Sequence, residues 1–364
     1  KLRTSYGTSG NANINDYAYY QLYEFGKNYN GDPGSSPSQM GNDNLSWEKN
    51  NNANVGIDAK FYDKIETSID LYHRTTYDLL LQRPVTLTSG YAYRLENLGS
   101  MVNKGIEITV DVVAIKKQNF DWKSGLTFSR NINTITELYT ENIADTILQG
   151  TKIRTEGYSL QSFYLRDWAG VNSADGSPMW YDSKGNLTKD YNKARSVYAG
   201  TADPLFTASW NNTLAYKNIS LNFLFYYNYG NIIFNQLNTE LLSDGAIWGK
   251  NMSSQAVEHW QNPGDISENP KVVQNNPSNS NKFSTRYLED GTYLRLKHIQ
   301  INYTLPSKFI EKYKISSCSI YTQVQNAWLW TAFSGVDPET RSSGVYYYDY
   351  PKQRLFTSGI SIKF

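Results

Sequence analysis

Residues 205–229 read "LFTASWNNTLAYKNISLNFLFYYNY", and the fold turns on how this stretch is read. Alternate residues put Phe206, Ala208, Trp210, Leu214 and Tyr216 on one face, opposite Thr207, Ser209, Asn211 and Thr213. After Lys217 and Asn218 the alternation resumes, with Ile219, Leu221, Phe223, Phe225, Tyr227 and Tyr229 turned away from Ser220 and Asn222. A period of two places successive side chains on opposite faces of a strand. The stretch therefore predicts a β-hairpin whose arms each match the roughly 9–11 residues of a tilted membrane-crossing strand.

The same pattern recurs outward in both directions. "ANVGIDAKFYD" sets Ala53, Val55, Ile57, Ala59 and Phe61 against Asn54, Asp58 and Lys60. "KGIEITVDVVA" sets Ile106, Ile108, Val110 and Val112 against Glu107, Thr109 and Asp111, and "FDWKSGLTFSRN" aligns Phe120, Trp122, Leu126 and Phe128. "RLFTSGISIKF" puts Phe356, Ser358, Ile360, Ile362 and Phe364 on a mostly apolar face, against Leu355, Thr357, Gly359, Ser361 and Lys363. Residue 1 opens on "KLRTSYG", which already reads as strand with no leader, so the chain is expected to be part of a longer one.

Composition supports wet loops and interfaces more than a soluble core. Thirty Tyr and nine Trp stand beside a hydrophobic fraction of only 39%. Lys plus Arg (35) balance Asp plus Glu (34), so no basic field argues for nucleic acid. No stretch approaches the ~20 apolar residues of a membrane helix. Cys318 is the sole cysteine; it shares a face with Ile320 and Val324 and reads as a small apolar filler.

Two architectures produce period-two strands: a soluble sandwich, or a barrel with lipid outside and water inside. The connections favour the barrel. "YDK" (62–64), "IKKQN" (115–119) and "KN" (217–218) are short, whereas Gly7 to Asn52, Asp78 to Asn103, Asn231 to Asp290 and Ala327 to Pro351 are long. Short and long alternate, as when tight turns gather at one barrel end and large loops at the other. Counting directions, 291–304 runs toward the short-turn side, "LPSKFIEKYK" turns there, 315–326 returns and 352–364 descends again. The C-terminus is thus expected on the short-turn, periplasmic side. Between Ile132 and Leu205 the parity requires zero or two extra barrel strands. "LQSFYLRDWAGV" and "SPMWYD", joined by "SADG", predict an additional hairpin there, for about ten to twelve barrel strands in all. "MSSQAVEHWQNPGD" predicts a short loop helix with Met252, Ala256, Val257 and Trp260 on one face.

Nothing in the pattern points to catalysis, a cofactor or a metal. His73, His259 and His298 stand apart, and no zinc motif, phosphate loop or nucleophile elbow appears. Glu289–Asp290 reads as a solvated strand edge, and Asp175 and Asp337 complete no calcium loop. Loop aromatics are the better candidates for stacking on cargo or docking a partner: Tyr91, Tyr93, Trp180, Tyr181, Trp248, Trp260, Trp330, Tyr346, Tyr347 and Tyr348. Packing of loop on loop is the alternative for each. "GVYYYDY" (344–350) is the best candidate for the mouth, because three consecutive aromatics cannot all face one way in a strand.

Taken in order, these segments resemble SusC/RagA-type TonB-dependent outer-membrane transporters of the Bacteroidetes. The resemblance spans almost the whole chain. It is carried by "SYGTSGNANI", "NLSWEKNNNANVGID", "YDLLLQRPVTLTSGY", "NLGSMVNKGIEITV" and "WAGVNSADGSPMWYD". "EDGTYLRLKHIQINYTLP", "QNAWLWTAFSGVDPE" and "YPKQRLFTSGISIKF" continue it. It implies a barrel of about 22 strands, of which residues 1–364 are the C-terminal portion, the plug and first strands lying outside this chain. It also implies TonB engagement through that missing part, a SusD-like lipoprotein lid, and import of oligosaccharides or peptides across the outer membrane. Phe356, Ile360, Ile362 and Phe364 are then expected to serve closure against the first strand and assembly, as well as facing lipid. A passive porin-like channel or surface adhesin is a second reading, and a soluble all-β glycan-binding module a third.

Overall fold

The computed structural model describes residues 1–138 and 146–364. Its main element is a ten-stranded sheet with neighbours in strict chain order. The strands are β1 (Leu2–Asn11), β2 (Glu48–Phe61), β3 (Ile65–Tyr77), β4 (Ser100–Lys117), β5 (Phe120–Glu137), β6 (Phe206–Tyr216), β7 (Ile219–Tyr229), β8 (Tyr293–Thr304), β9 (Ser317–Thr331) and β10 (Leu355–Lys363). The β1–β2 pair and each pair from β5 to β10 are antiparallel. Register matches apolar to apolar: Trp210 lies opposite both Phe225 and Leu126, and Leu214 opposite both Leu221 and Trp122. A one-residue slip would exchange the faces, so the pattern itself specifies the pairing.

The connections alternate as expected. β2–β3, β4–β5 and β6–β7 are joined by two or three residues, and β8–β9 by 305–316, which contains the short helices Ser307–Ile310 and Glu311–Tyr313. In the 62–64 turn Tyr62 and Asp63 both take positive φ (51° and 52°), with the Lys64 amide donating to the Phe61 carbonyl. That is the primed geometry whose twist suits a tight hairpin. β4 and β5 are 18 residues each. At ~3.3 Å per residue they exceed what a tilted crossing of a ~30 Å hydrocarbon layer needs, so both run past it.

The alternating faces are buried the wrong way round for a soluble protein. Ile57 is 50% exposed, Ile360 66% and Phe356 71%, while Gly56 between the apolar positions is buried. A sandwich would cover these faces with a second sheet. Here the apolar side is the open side, and polar side chains on the other face engage one another. No described helix is long and apolar enough to cross a membrane.

Well-buried cores form mainly among the long connections, within two compact units. In the first (Lys1–Asp58, Ile69–Glu107, Asn131–Leu160), Leu98, Ile135, Leu138 and Ile147 pack with Leu81 and Leu160. In the second (Ala59–Ser68, Ile108–Arg130, Gln161–Phe364), Phe163, Leu165, Phe234, Leu242 and Tyr287 form one cluster. Ile233, Phe333 and Tyr346 form another.

Three sequence expectations are refined. β5 pairs directly with β6, so the 138–205 connection adds no strand to the main sheet. Among its described residues that connection instead carries seven short strands in separate sheets, including the hairpin Trp168–Val171 with Pro178–Tyr181. The helix expected from Met252 and stopping at Pro263 is a single 3-10 turn, Ser254–Val257, begun by the Ser253 hydroxyl accepting from the Gln255 amide. Trp260 lies beyond it, and its amide donates to the Asn269 carbonyl, so the backbone has left helical geometry.

Candidate functional site

The polar face of the sheet is a lattice of side-chain hydrogen bonds. Arg3 on β1 donates to Asp58 on β2 (2.9 Å) and to Asp70 on β3 (2.8 Å). Arg74 donates to Asn52, Thr76 to Asn50, and Tyr72 to Asn131. In the second unit His298 on β8 sits between Asn222 on β7 (3.1 Å) and Gln323 on β9 (3.3 Å), and Asn222 donates on to Thr213. Of these, Asp58, Asn222 and Thr213 occupy strand positions that alternation marked as polar.

At the loop end of β8 this face becomes ionic. Buried Arg295 donates to Asp337 at 2.5 Å, and Glu339 stands 3.5 Å from its Nε. Lys297 reaches Glu339 at 3.4 Å and lies over the Tyr226 ring. Asp337 also accepts the Glu339 amide and, through its other oxygen, the Lys352 amide (2.9 Å each). One carboxylate thus ties β8 to both ends of the 332–354 loop. Asp337, considered from sequence only as a calcium ligand, takes a guanidinium instead. Asp175 likewise takes Lys189 and the Ser177 amide, which hold its carboxyl down to about 2.

The long connections of the second unit line an open cavity of about 1030 Å³. Its lining is mostly polar, including Asn238, Gln255, Glu258, Asn269 and Glu289, with Trp168 as the one large aromatic ring besides Tyr287. Trp168 is held from several sides. Its amide donates to Thr285 Oγ1, Arg286 lies over its ring at 5.1 Å, and Trp180 meets it edge-on at 5.4 Å. Arg286 is itself fixed by Asp244 (2.5 Å) and Asn269 (2.9 Å). Guanidinium and carboxylate are both almost fully buried, the geometry in which losing one partner is costly. Glu289, expected at a solvated edge, is half-buried and accepts from Asn235 (2.8 Å) and from the Ser334 hydroxyl and amide. This chemistry suits reversible hydrogen bonding to a hydroxyl- or amide-rich ligand beside an anchored ring.

The proposed contact residues divide sharply. Trp180 (0% exposed) and Tyr346 (2%) are corrections: neither is open to a ligand. Trp180 is wedged between Trp168 and Tyr191, and Tyr346 packs edge-on against Phe333. Tyr91 is half-buried with its hydroxyl shielded from water. Trp260 is partly covered: its indole donates to the Ser173 carbonyl, and its ring lies so close to Gly176 (φ +68°) that a Cβ there would overlap it. Tyr181 lies under Arg195, and Trp330 stands on the open apolar face beside Trp328 and Phe225. Tyr93, Tyr347, Tyr348 and above all Trp248 (95% exposed) are open to solvent. The Tyr347 and Tyr348 hydroxyls both donate to Glu240 (2.6 and 3.2 Å), which Lys250 also contacts. Lys250, then Tyr347, hold the Glu240 carboxyl below its ordinary range, and Glu240 raises the Tyr347 hydroxyl in turn. Trp168, Arg286 and Asp244 were not singled out from sequence, because only distant segments folded together reveal them.

A family model described as TonB dependent receptor-like, beta-barrel, matches residues 1–190. The chain belongs to that family. Over its entire length it is 31% identical to TonB-dependent receptor P3 of Formosa agariphila, covering 39% of that protein. It is 28% identical to TonB-dependent receptor SusC of Bacteroides thetaiotaomicron, covering all of this chain and 37% of the relative. A solved structure of the RagAB peptide transporter aligns with 99% of this chain and 40% of its own, at 26% identity and a TM-score of 0.85. The chain therefore spans about 40% of the relatives it matches. In a TonB-dependent receptor barrel the open apolar faces meet lipid and the polar lattice lines the interior.

Proposed function

We propose that residues 1–364 are the C-terminal portion of the barrel of an outer-membrane importer. It takes up large nutrients, oligosaccharides or peptides, and is energised by TonB through the part of the protein that precedes this chain. The observation that carries the reading is the likeness, along the entire chain, to SusC and to the RagAB peptide transporter. In this reading the plug and the first strands lie outside this chain, and the short turns and C-terminus face the periplasm. A SusD-like lipoprotein sits over the long loops, with Tyr93, Trp248, Trp260, Tyr347 and Tyr348 the candidates to meet it or the cargo. Phe356, Ile360, Ile362 and Phe364 close the barrel against its first strand.

Uptake of labelled oligosaccharide and peptide pools by cells making the full-length protein is expected to stop when TonB is deleted. Uptake that persists at the same rate would replace import by passive passage. Gentle detergent extraction of the tagged protein is expected to recover a surface lipoprotein, and repeated recovery of the barrel alone would count against the lid.

A further inference from the structure

The long connections of the first unit hold a second cavity, of about 440 Å³. Its described polar lining is neutral apart from one group: Asn13, Asn15, Gln39, Gln82, Gln149 and Tyr93 line it together with Arg154. The neighbouring cations of this unit are neutralised. Arg83 makes a two-pronged contact to Glu96 (2.7 and 2.8 Å), and Arg94 reaches the same carboxylate. Arg154 has no such partner among the described residues. Among the described residues its hydrogen bond is donated to the Leu160 carbonyl oxygen, and none of the described residues lining the cavity is a carboxylate.

A half-buried cation without a counter-charge is costly, and the cost falls when an anion enters. Burial lowers the pKa of Arg154 from the ordinary guanidinium value, as expected where the charge is uncompensated. The guanidinium fork matches a planar carboxylate, with amides beside it to hold the rest of a polar ligand. Gln149 already donates to Gln82 (3.3 Å) across the rim, which keeps those amides in place.

We propose that this cavity binds a carboxylate of the cargo, with Arg154 as the recognising group and Tyr93 at the rim. The carboxylate belongs either to an acidic sugar or to an acidic peptide. The inference rests on the import reading, but binding in detergent needs no TonB, so the two can fail separately.

The test is calorimetry on the full-length protein in detergent with four probes: trigalacturonate, its methyl ester, triglutamate and triglutamine. One acid is expected to bind while its uncharged counterpart does not. The trigalacturonate arm would identify an acidic glycan, and the triglutamate arm a peptide. Arg154→Gln is expected to weaken the acid roughly tenfold or more, the scale of a lost charge-assisted contact, and Arg154→Lys by less. Should Arg154→Gln fail to accumulate, the acid-against-neutral comparison on the unaltered protein decides. Equal binding of acid and neutral probe, unchanged affinity in Arg154→Gln, or binding of neither acid would overturn the proposal.

Discussion

Asp337 accepts from Arg295, from the Glu339 amide and from the Lys352 amide at once. Removing its charge leaves a buried guanidinium with a distant second partner and frees both ends of the loop. Asp337→Asn is expected to cost about 3–5 kcal/mol locally. It should appear as faster hydrogen exchange over 332–354, with β2 and β3 unchanged; uniform exchange across the chain would refute the clamp. Glu240 makes a pH prediction. Its lowered pKa means that its contribution is complete above the ordinary carboxylate range and is lost as pH falls through the folded value. The raised Tyr347 pKa works oppositely: its contribution is complete below the ordinary phenol value and is lost as pH rises beyond it. A spin label at Tyr350→Cys is therefore expected to be least mobile between roughly pH 4.5 and 10, loosening on both sides. A mobility flat across that span and beyond would remove Glu240 as the anchor.

At the scale of elements, β7 shows why alternation is informative. Leu221 stands on the open apolar face and Ser220 on the polar lattice face, one residue apart. Leu221→Lys is expected to destabilise the barrel by about 2–4 kcal/mol if it meets mid-bilayer lipid, and Ser220→Lys by close to nothing. Unfolding midpoints of the full-length protein in liposomes measure the difference, and equal effects would contradict lipid on that face. The long connections are a different case. The strands Pro178–Tyr181 and Val345–Tyr346 are too short for a period to register, and what covers their side chains comes from elsewhere in the chain. Trp180 is covered by Trp168 and Tyr191, and Tyr346 by Phe333, so an aromatic that looked available in sequence is interior in space. Within "GVYYYDY" the three rings do not face one way: Tyr346 is buried, while Tyr347 and Tyr348 are exposed with their hydroxyls on Glu240.

For the whole molecule, the choice between sandwich and barrel rests on which face is covered. The cores lie mainly among the connections, and no second layer of described residues covers the exposed apolar side chains of the sheet, such as Ile57, Phe356 and Ile360. That is stable in lipid and a liability in water. Detergent or lipid is expected to be required throughout purification of the full-length protein. A monodisperse product in plain buffer would restore the soluble alternative.

The sequence by itself determined the strands, their inward and outward faces, and the alternation of short and long connections. A two-residue period and tight-turn lengths are local properties, written in neighbouring residues. Only the tertiary structure decided that the 138–205 connection adds no strand to the main sheet. It also decided that Arg295 meets Asp337, that Arg286 holds Trp168, and that Arg154 lines its cavity with no carboxylate beside it among the described residues. Those facts depend on which distant loops pack together and which charges they leave unpaired, and no window along the chain contains both partners.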